Sequence, residues 1–161
     1  MESDFQKELI RLAEEMGKPT QNEIHAFVSS VSPIEYEKLC KEVLAKYAEN
    51  EGLKEFTIQH NTIIKGNDGE YQIDIYASFI AMGVGFKVLV ECKRYSSPIT
   101  REKVVLLADK VKQLGAHKGI LISSSGFQSG AYQYAKEHGI ALLQITDTQT
   151  GITVVPHNIF A

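Results

Sequence analysis

The run Phe86-Lys-Val-Leu-Val-Glu-Cys-Lys93 decides how this 161-residue chain folds. Its apolar middle, residues 88–90, has the composition of a buried strand, and charged residues follow at its end. Because side chains alternate along a strand, Glu91 and Lys93 are expected on one face and Cys92 on the other. A carboxylate and an amine are costly to bury when they have no partners. The run therefore predicts a central strand with a polar site at its end.

Two more strands are predicted before this run. Phe56–His60 together with Ile63 and Ile64 form the first, and a turn at residues 65–69 follows it. Residues 71–79 form the second. Its alternation places one set on one face, namely Tyr71, Ile73, Ile75, Ala77 and Phe79, and a second set on the other, namely Gln72, Asp74 and Tyr76. A turn at residues 83–85 leads into the third strand, so we expect an antiparallel meander in which Asp74 lies beside Glu91.

The second half of the chain alternates helices and strands. In order, the pattern predicts a helix capped by Thr100 and running to Gly115, a strand at Gly119–Ser123, a helix at residues 129–138 and a strand at residues 140–145. This order favours parallel pairing of the last two strands through a right-handed crossover. Gly151 and Pro156 indicate a short tail.

Helices are predicted before the sheet. One set of apolar residues recurs at helical spacing: Phe5, Leu9, Leu12, Ala13 and Met16. Thr20-Gln-Asn-Glu23 has the form of a capping box, and Ser32-Pro-Ile-Glu35 starts a longer helix that ends near Gly52. The whole order predicts an α/β (α+β) fold with a mixed sheet flanked by helices. Residues 1–31 are expected to be a helical extension and residues 32–161 a single domain.

Composition sets outer limits on function. The net charge of −3, from 17 basic and 20 acidic side chains, argues against a protein that coats nucleic acid by charge alone. No apolar run approaches the roughly 20 residues that span a bilayer. The first residues, Met-Glu-Ser-Asp-Phe, lack the order of a signal peptide, so a cytoplasmic location is expected.

The sequence contains no zinc-binding or nucleotide-binding motif. Cys40 and Cys92 are far apart and are expected to be buried free thiols, with a disulfide as the alternative. The five histidines form no zinc pattern, and neither a P-loop nor a GxGxxG loop is present. A structural zinc site and ATP use therefore have no support.

The strand ends carry the chemistry that the sequence offers. Asp74 and Glu91 are two carboxylates that repel each other unless a cation lies between them, and oxygen ligands favour Mg²⁺ or Mn²⁺. With Lys93 to position or deprotonate a nucleophile, they indicate phosphodiester hydrolysis. The alternative is a solvated strand edge, which is the usual context of an E-x-K triplet.

Several stretches together resemble a known family. They are Gly69-Glu-Tyr-Gln-Ile-Asp-Ile75, Val88-Leu-Val-Glu-Cys-Lys-Arg-Tyr95, Ala116-His-Lys-Gly-Ile-Leu-Ile-Ser-Ser-Ser-Gly-Phe127 and Ile140-Ala-Leu-Leu143, with Ala131 and Ala135 between the last two. The chain is similar to the catalytic domain of Mrr-type restriction endonucleases, within the PD-(D/E)xK nuclease superfamily. The resemblance covers most of the chain.

The resemblance implies a restriction-endonuclease-like fold and Mg²⁺-dependent DNA cleavage in restriction, defence or DNA processing. It implies metal binding by Asp74, Glu91 and the backbone carbonyl of Cys92, with Lys93 at the attacking water. A glutamate of the leading helix completes some sites of this kind; Glu37 is the better candidate, since Glu35 is placed to cap the helix. The chain has Glu91 where the family often has glutamine, and Ile73 where the superfamily name has proline.

DNA contacts are expected from residues around these strands. Ser123, Ser124, Ser125 and Gln128 precede a helix N-terminus, where backbone amides favour phosphate. The remaining candidates are Arg94, Arg101 and Lys103, just after the site, and Gln59 and His60 on the first strand. Plain turn chemistry and solvated surface positions are the alternatives.

Other functions compete with this one. The first is a structure-selective nuclease such as a Holliday-junction resolvase, and the second a non-catalytic nucleic-acid-binding module on the same fold. DNA is the expected partner. A homodimer is also expected, because paired nicks need two active sites. Separate subunits of a defence system are further candidate partners.

Overall fold

A computed structural model describes residues 3–5 and 17–160 of the chain. The helix expected from Phe5 to Met16 falls largely outside these residues. The described elements are α1 (Gln21–Ser30), α2 (Pro33–Glu51), β1 (Lys54–Gly66), β2 (Gly69–Ala81), β3 (Val84–Lys93), α3 (Arg101–Gln113), β4 (Lys118–Ser123), α4 (Ser129–His138), β5 (Ile140–Thr148) and β6 (Gly151–Pro156). None of the helices within these residues is long and apolar enough to cross a membrane.

The strands form one mixed sheet in the order β1-β2-β3-β4-β5-β6. The pairs β1–β2 and β2–β3 are antiparallel, which confirms the predicted meander. The pairs β3–β4 and β4–β5 are parallel, as the alternation of helices and strands predicts. The predicted tail is wrong. Residues 151–156 pair antiparallel with β5 as an edge strand that tolerates its terminal proline.

Local sequence signals set the starts of the first helices. Thr20 and Glu23 form the predicted capping box of α1, and Ser32 accepts a hydrogen bond from the Glu35 backbone N–H at the start of α2. Gly52 ends α2 in the left-handed conformation, with φ of 65°. Thr100 precedes α3 as predicted, but its side chain makes no capping hydrogen bond.

Each face of the sheet buries its own core. On the face that packs against α3 and α4, the cluster includes Leu89, Leu107, Leu121, Ala131 and Leu142. On the face that packs against α1 and α2, it includes Phe27, Tyr36, Cys40, Val90, Cys92 and Ile122. The two cysteines are buried and form no disulfide, as the sequence predicts.

Partway along β1 and β2, the inward-facing side chains change from one core to the other. This change contradicts the predicted single apolar face of β2. Ile75 packs with α2, whereas Tyr71 and Ile73 pack with the core on the opposite face, so the expected single apolar face of β2 is wrong. The exchange occurs around Asp74 and around Asn61, which has a positive φ of 54° on β1. A residue in this left-handed conformation breaks the regular alternation of a strand. Asp74 therefore lies where β2 passes from one core to the other.

Candidate active site

Asp74 lies where the second and third strands separate. The pairing of β2 with β3 reaches Ile75 and Val90, so Asp74 and Glu91 are the next residues on each strand. The Asp74 Oδ2 atom accepts a hydrogen bond from the backbone N–H of Cys92 at 2.9 Å. The carboxylate therefore takes the place of a main-chain acceptor and is held against the end of β3.

The pKa of Asp74 identifies the charged groups around it. Burial raises this pKa to about 6, and the Cys92 N–H opposes the rise by stabilising the charged form. The negative charges of Glu91 and Glu37 raise the pKa further, and the positive charge of Lys93 lowers it. The structure thus brings together in one neighbourhood the four side chains that the sequence proposes for catalysis.

Glu91 is buried between two lysines. Only 7% of the residue is exposed. Its Oε2 atom lies 3.4 Å from the ammonium nitrogen of Lys93, so the two share a face, as the alternation of the strand predicts. Its Oε1 atom lies 2.5 Å from the ammonium nitrogen of Lys110 on α3. Lys110 is absent from the sequence-based prediction, because its contact with β3 depends on how α3 packs.

Glu37 reaches the same region from α2. Its Oε2 atom lies 2.7 Å from His60 Nε2 on β1, and both side chains are largely buried. Glu35 is exposed in the first turn, where its backbone N–H bonds to the Ser32 hydroxyl. Of the two glutamates, it is Glu37 whose charge acts on the pKa of Asp74. Its role in the site stays a prediction. His60 is a partner of Glu37 and not a solvated edge residue.

The donor set suits a hard divalent cation. Asp74, Glu91 and Glu37 supply carboxylate oxygens, and burial, followed by the charges of Glu91 and Glu37, raises the pKa of Asp74. Within the part of the chain that the structure describes, no group of three acidic, histidine or cysteine side chains is placed closely enough to hold a metal ion as it stands. The predicted role of the Cys92 carbonyl stays a prediction.

The serines after β4 do not reach the surface. Ser124 and Ser125 are fully buried, and their hydroxyls donate to the backbone carbonyls of Tyr95 and Ser97, each at 2.6 Å. Ser123, also buried, bonds to the Ser125 hydroxyl at 3.0 Å. The structure therefore offers none of these hydroxyls to a DNA phosphate. They hold the loop that follows β3 against the end of β4.

Arg94 also has an internal role. One of its terminal nitrogens donates to the carbonyls of Val28 at 2.6 Å and Val31 at 3.0 Å. It fastens the end of α1 to the end of β3, next to Lys93.

The other predicted DNA contacts lie nearer the surface. Gln59, Arg101 and Gln128 are exposed, and Lys103 is half-buried. The Arg101 guanidinium lies 4.9 Å from the centre of the Tyr134 ring, and this cation–π contact positions the guanidinium group. Contact of these four residues with DNA stays a prediction.

The fold and the acidic strand ends define the class as restriction-endonuclease-like. Residues 28–150 match a family described as a restriction endonuclease, the Mrr catalytic domain. Because the match covers well over half of the chain, the protein belongs to this family. A search of curated proteins finds no match.

Solved structures share the fold at low sequence identity. A protein of unknown function, AF1548, is 22% identical with a TM-score of 0.54, over 68% of this chain and 57% of that one. MspJI restriction endonuclease, solved with a 27-mer oligonucleotide, is 12% identical with a TM-score of 0.56, over 89% and 32%. Can2 from Sulfobacillus thermosulfidooxidans, solved with cyclic tetra-adenylate, is 15% identical with a TM-score of 0.51, over 66% and 31%. The present chain thus spans between 31% and 57% of the length of these proteins.

Proposed function

We propose that this protein is a Mg²⁺-dependent DNA endonuclease whose site consists of Asp74, Glu91, Lys93 and Glu37. The observation that carries the proposal is the placement of Asp74. Its carboxylate, with a pKa of about 6, is held at the fork of β2 and β3 beside the charges of Glu91, Glu37 and Lys93. A partly buried carboxylate held near other acidic groups is typical of a site that works with a cation.

Mg²⁺, or Mn²⁺ in its place, would be held by Asp74, Glu91 and the Cys92 carbonyl, with Glu37 as the additional carboxylate. When bound, it supplies electrophilic polarisation of the phosphate and a more acidic water.

Side chains and backbone groups of the protein provide the other functions of the site. Lys93 shares a face with Glu91, so its ammonium group can orient an attacking water and offset the charge that develops on the phosphate. The Cys92 N–H keeps the Asp74 carboxylate in one orientation. His60 does the same for Glu37. Positioning of this kind is what a phosphodiester hydrolysis site needs from a rigid scaffold.

DNA as substrate is supported by the family and by the MspJI structure, which contains an oligonucleotide. Arg101, Lys103, Gln59 and Gln128 are the surface groups proposed to meet it. Restriction, defence or DNA processing is the proposed setting, with separate defence-system subunits as partners. Because a double-strand break needs two such sites, a homodimer is the proposed assembly.

Metal-dependent nicking of supercoiled plasmid DNA tests the proposal. We expect nicked product with Mg²⁺ or Mn²⁺, none with EDTA, and a loss of at least about 100-fold in Lys93→Ala, the scale of one electrostatic catalytic group. Lys112→Ala, an exposed position on α3, is the matched control and should cleave like the wild type. Binding of DNA without cleavage under every divalent cation would favour the non-catalytic module. Preference for a four-way junction over linear duplex would favour the resolvase.

A further inference from the structure

The Glu91 carboxylate contacts two lysine ammonium groups, whereas the proposed reaction uses only that of Lys93. Lys93 comes from the same strand and lies 3.4 Å from Oε2. Lys110 comes from a different element, α3, and lies closer, 2.5 Å from Oε1. The two oxygens of one buried carboxylate are therefore each approached by a separate ammonium group.

Because Glu91 is buried, its carboxylate needs positively charged partners. The Glu91 side chain is only 10% exposed, and a buried carboxylate without a positive partner is strongly unfavourable. A divalent cation would provide that compensation in the proposed active state. In its absence a positive group of the protein must do so, and Lys110 makes the shortest contact.

Lys110 and a divalent cation cannot both stay on this oxygen. Mg²⁺ binds carboxylate oxygens at about 2.0–2.1 Å, so a cation on Oε1 would lie within ~4.6 Å of an ammonium group on the same atom. Like charges at that separation repel each other strongly in a partly buried site. A cation that binds Oε1 therefore competes with Lys110 for that oxygen and favours its withdrawal.

The Lys110 ammonium group can also occupy a position in solvent at the end of α3. Its side chain is 26% exposed and lies in the last turn of α3, with a long flexible stem. A lysine in the last turn is favoured there by the helix dipole, whether or not it touches Glu91. Withdrawal toward solvent thus leaves the ammonium group in a favourable position.

We infer that Lys110 is the internal counter-ion of Glu91 and that a divalent cation displaces it, so that Lys110 sets the affinity of the site for the cation. This inference rests on the proposed metal dependence. It gives α3 a part in tuning the site that is separate from the chemistry of Lys93.

Binding of Mn²⁺ to the full chain without DNA tests the inference. Free Mn²⁺ is counted by electron paramagnetic resonance, and the Mn²⁺-induced rise in Tm is a second readout that does not require full stability of the variant. Lys110→Met should bind Mn²⁺ about tenfold more tightly, the scale of one partly buried charge pair. Lys110→Arg, which keeps the charge, should stay near wild-type affinity, as should Lys112→Met.

The outcomes separate this inference from the proposed function. If wild type and Lys110→Met bind Mn²⁺ with equal affinity, the counter-ion role is overturned while metal-dependent cleavage stands. Equal tightening in Lys110→Arg and Lys110→Met also overturns it, because the charge would then not matter. If neither protein binds Mn²⁺, this inference fails together with the metal dependence. Binding by Lys110→Met alone supports the inference.

Discussion

The Asp74 carboxylate bonds to the backbone N–H of Cys92 at 2.9 Å, across the fork where β2 and β3 part. The acidic group is thus held by the strand that also carries Glu91 and Lys93. The bond needs only an acceptor atom, whereas the proposed chemistry needs a negative charge. Substitutions can separate these two functions.

Asp74→Asn should keep the fold and lose the activity. The amide oxygen can still accept from the Cys92 N–H, but the charge is gone, so we expect plasmid cleavage to fall by at least about 100-fold. The unfolding free energy should not fall, and near neutral pH it should rise, because no buried charge is left. Asp74→Leu removes the acceptor as well and should cost a further 1–3 kcal/mol or so, measured by urea unfolding. Retained cleavage in Asp74→Asn would exclude Asp74 from the site.

The raised pKa of Asp74 gives a signed pH dependence. Its folded-state pKa of about 6 lies above its ordinary value of 3.8, so the folded protein binds the proton more tightly than the unfolded chain does. Relative to Asp74→Asn, the wild type should therefore lose stability as pH rises from about 4 to about 6, and no further above that. Urea titrations of both proteins across this range measure the difference. A difference that is flat with pH, or that has the opposite sign, would contradict the burial of this group.

The sequence predicts the central site because its signals are local. An apolar strand that ends in Glu91 and Lys93, and a single charged residue within residues 71–79, are visible without any tertiary structure. Lys110 and His60 are not visible in this way, since each meets its glutamate through the packing of separate elements. Their sequence neighbourhoods do not distinguish them from surface residues.

The differences between the sequence-based expectations and the structure have physical reasons as well. Small polar residues after a buried strand suit a phosphate loop and a hydrogen-bonded turn equally, and Ser124 and Ser125 form the second. The alternation of β2 continues in the sequence through Ile73 and Ile75, so it cannot reveal that the strand changes cores at Asp74. Gly151 and Pro156 suggest a tail, but the four residues between them are all β-branched and form a sixth strand in which Val155 is buried.

His60 is expected to act through Glu37. His60→Phe keeps an aromatic ring on β1 but removes the 2.7 Å contact, so Glu37 should be less well oriented. We expect Mn²⁺ affinity to fall about tenfold, the lower end for the loss of an outer-shell partner. Lys65→Gln, exposed on the same strand, serves as control and should bind Mn²⁺ normally. A drop of the same size in both proteins would indicate a general effect on β1.

Arg94 and Arg101 should differ in what their loss changes. Arg94→Met removes both bonds to the end of α1 and should lower the unfolding free energy by about 2 kcal/mol, because the two carbonyls lose a charged donor. Arg101→Gln should leave stability within about 0.5 kcal/mol and should weaken DNA binding with a shallower salt dependence. Urea unfolding and DNA titrations at several salt concentrations measure both. A stable Arg94→Met protein with weakened DNA binding would instead support the prediction that Arg94 contacts DNA.

Asn61 is expected to control how Asp74 is presented. Its φ of 54° is tolerated by glycine and by asparagine but is strained for a β-branched residue. Asn61→Gly should therefore bind Mn²⁺ like the wild type, while Asn61→Val should lose about 1–3 kcal/mol of stability and bind Mn²⁺ more weakly. The reason is that valine favours regular strand geometry on β1, and the exchange of faces at Asn61 coincides with the one at Asp74 on the paired strand. Calorimetry and Mn²⁺ titration of the two variants provide the comparison, and normal Mn²⁺ binding by a folded Asn61→Val protein would show that the irregularity in β1 does not shape the site.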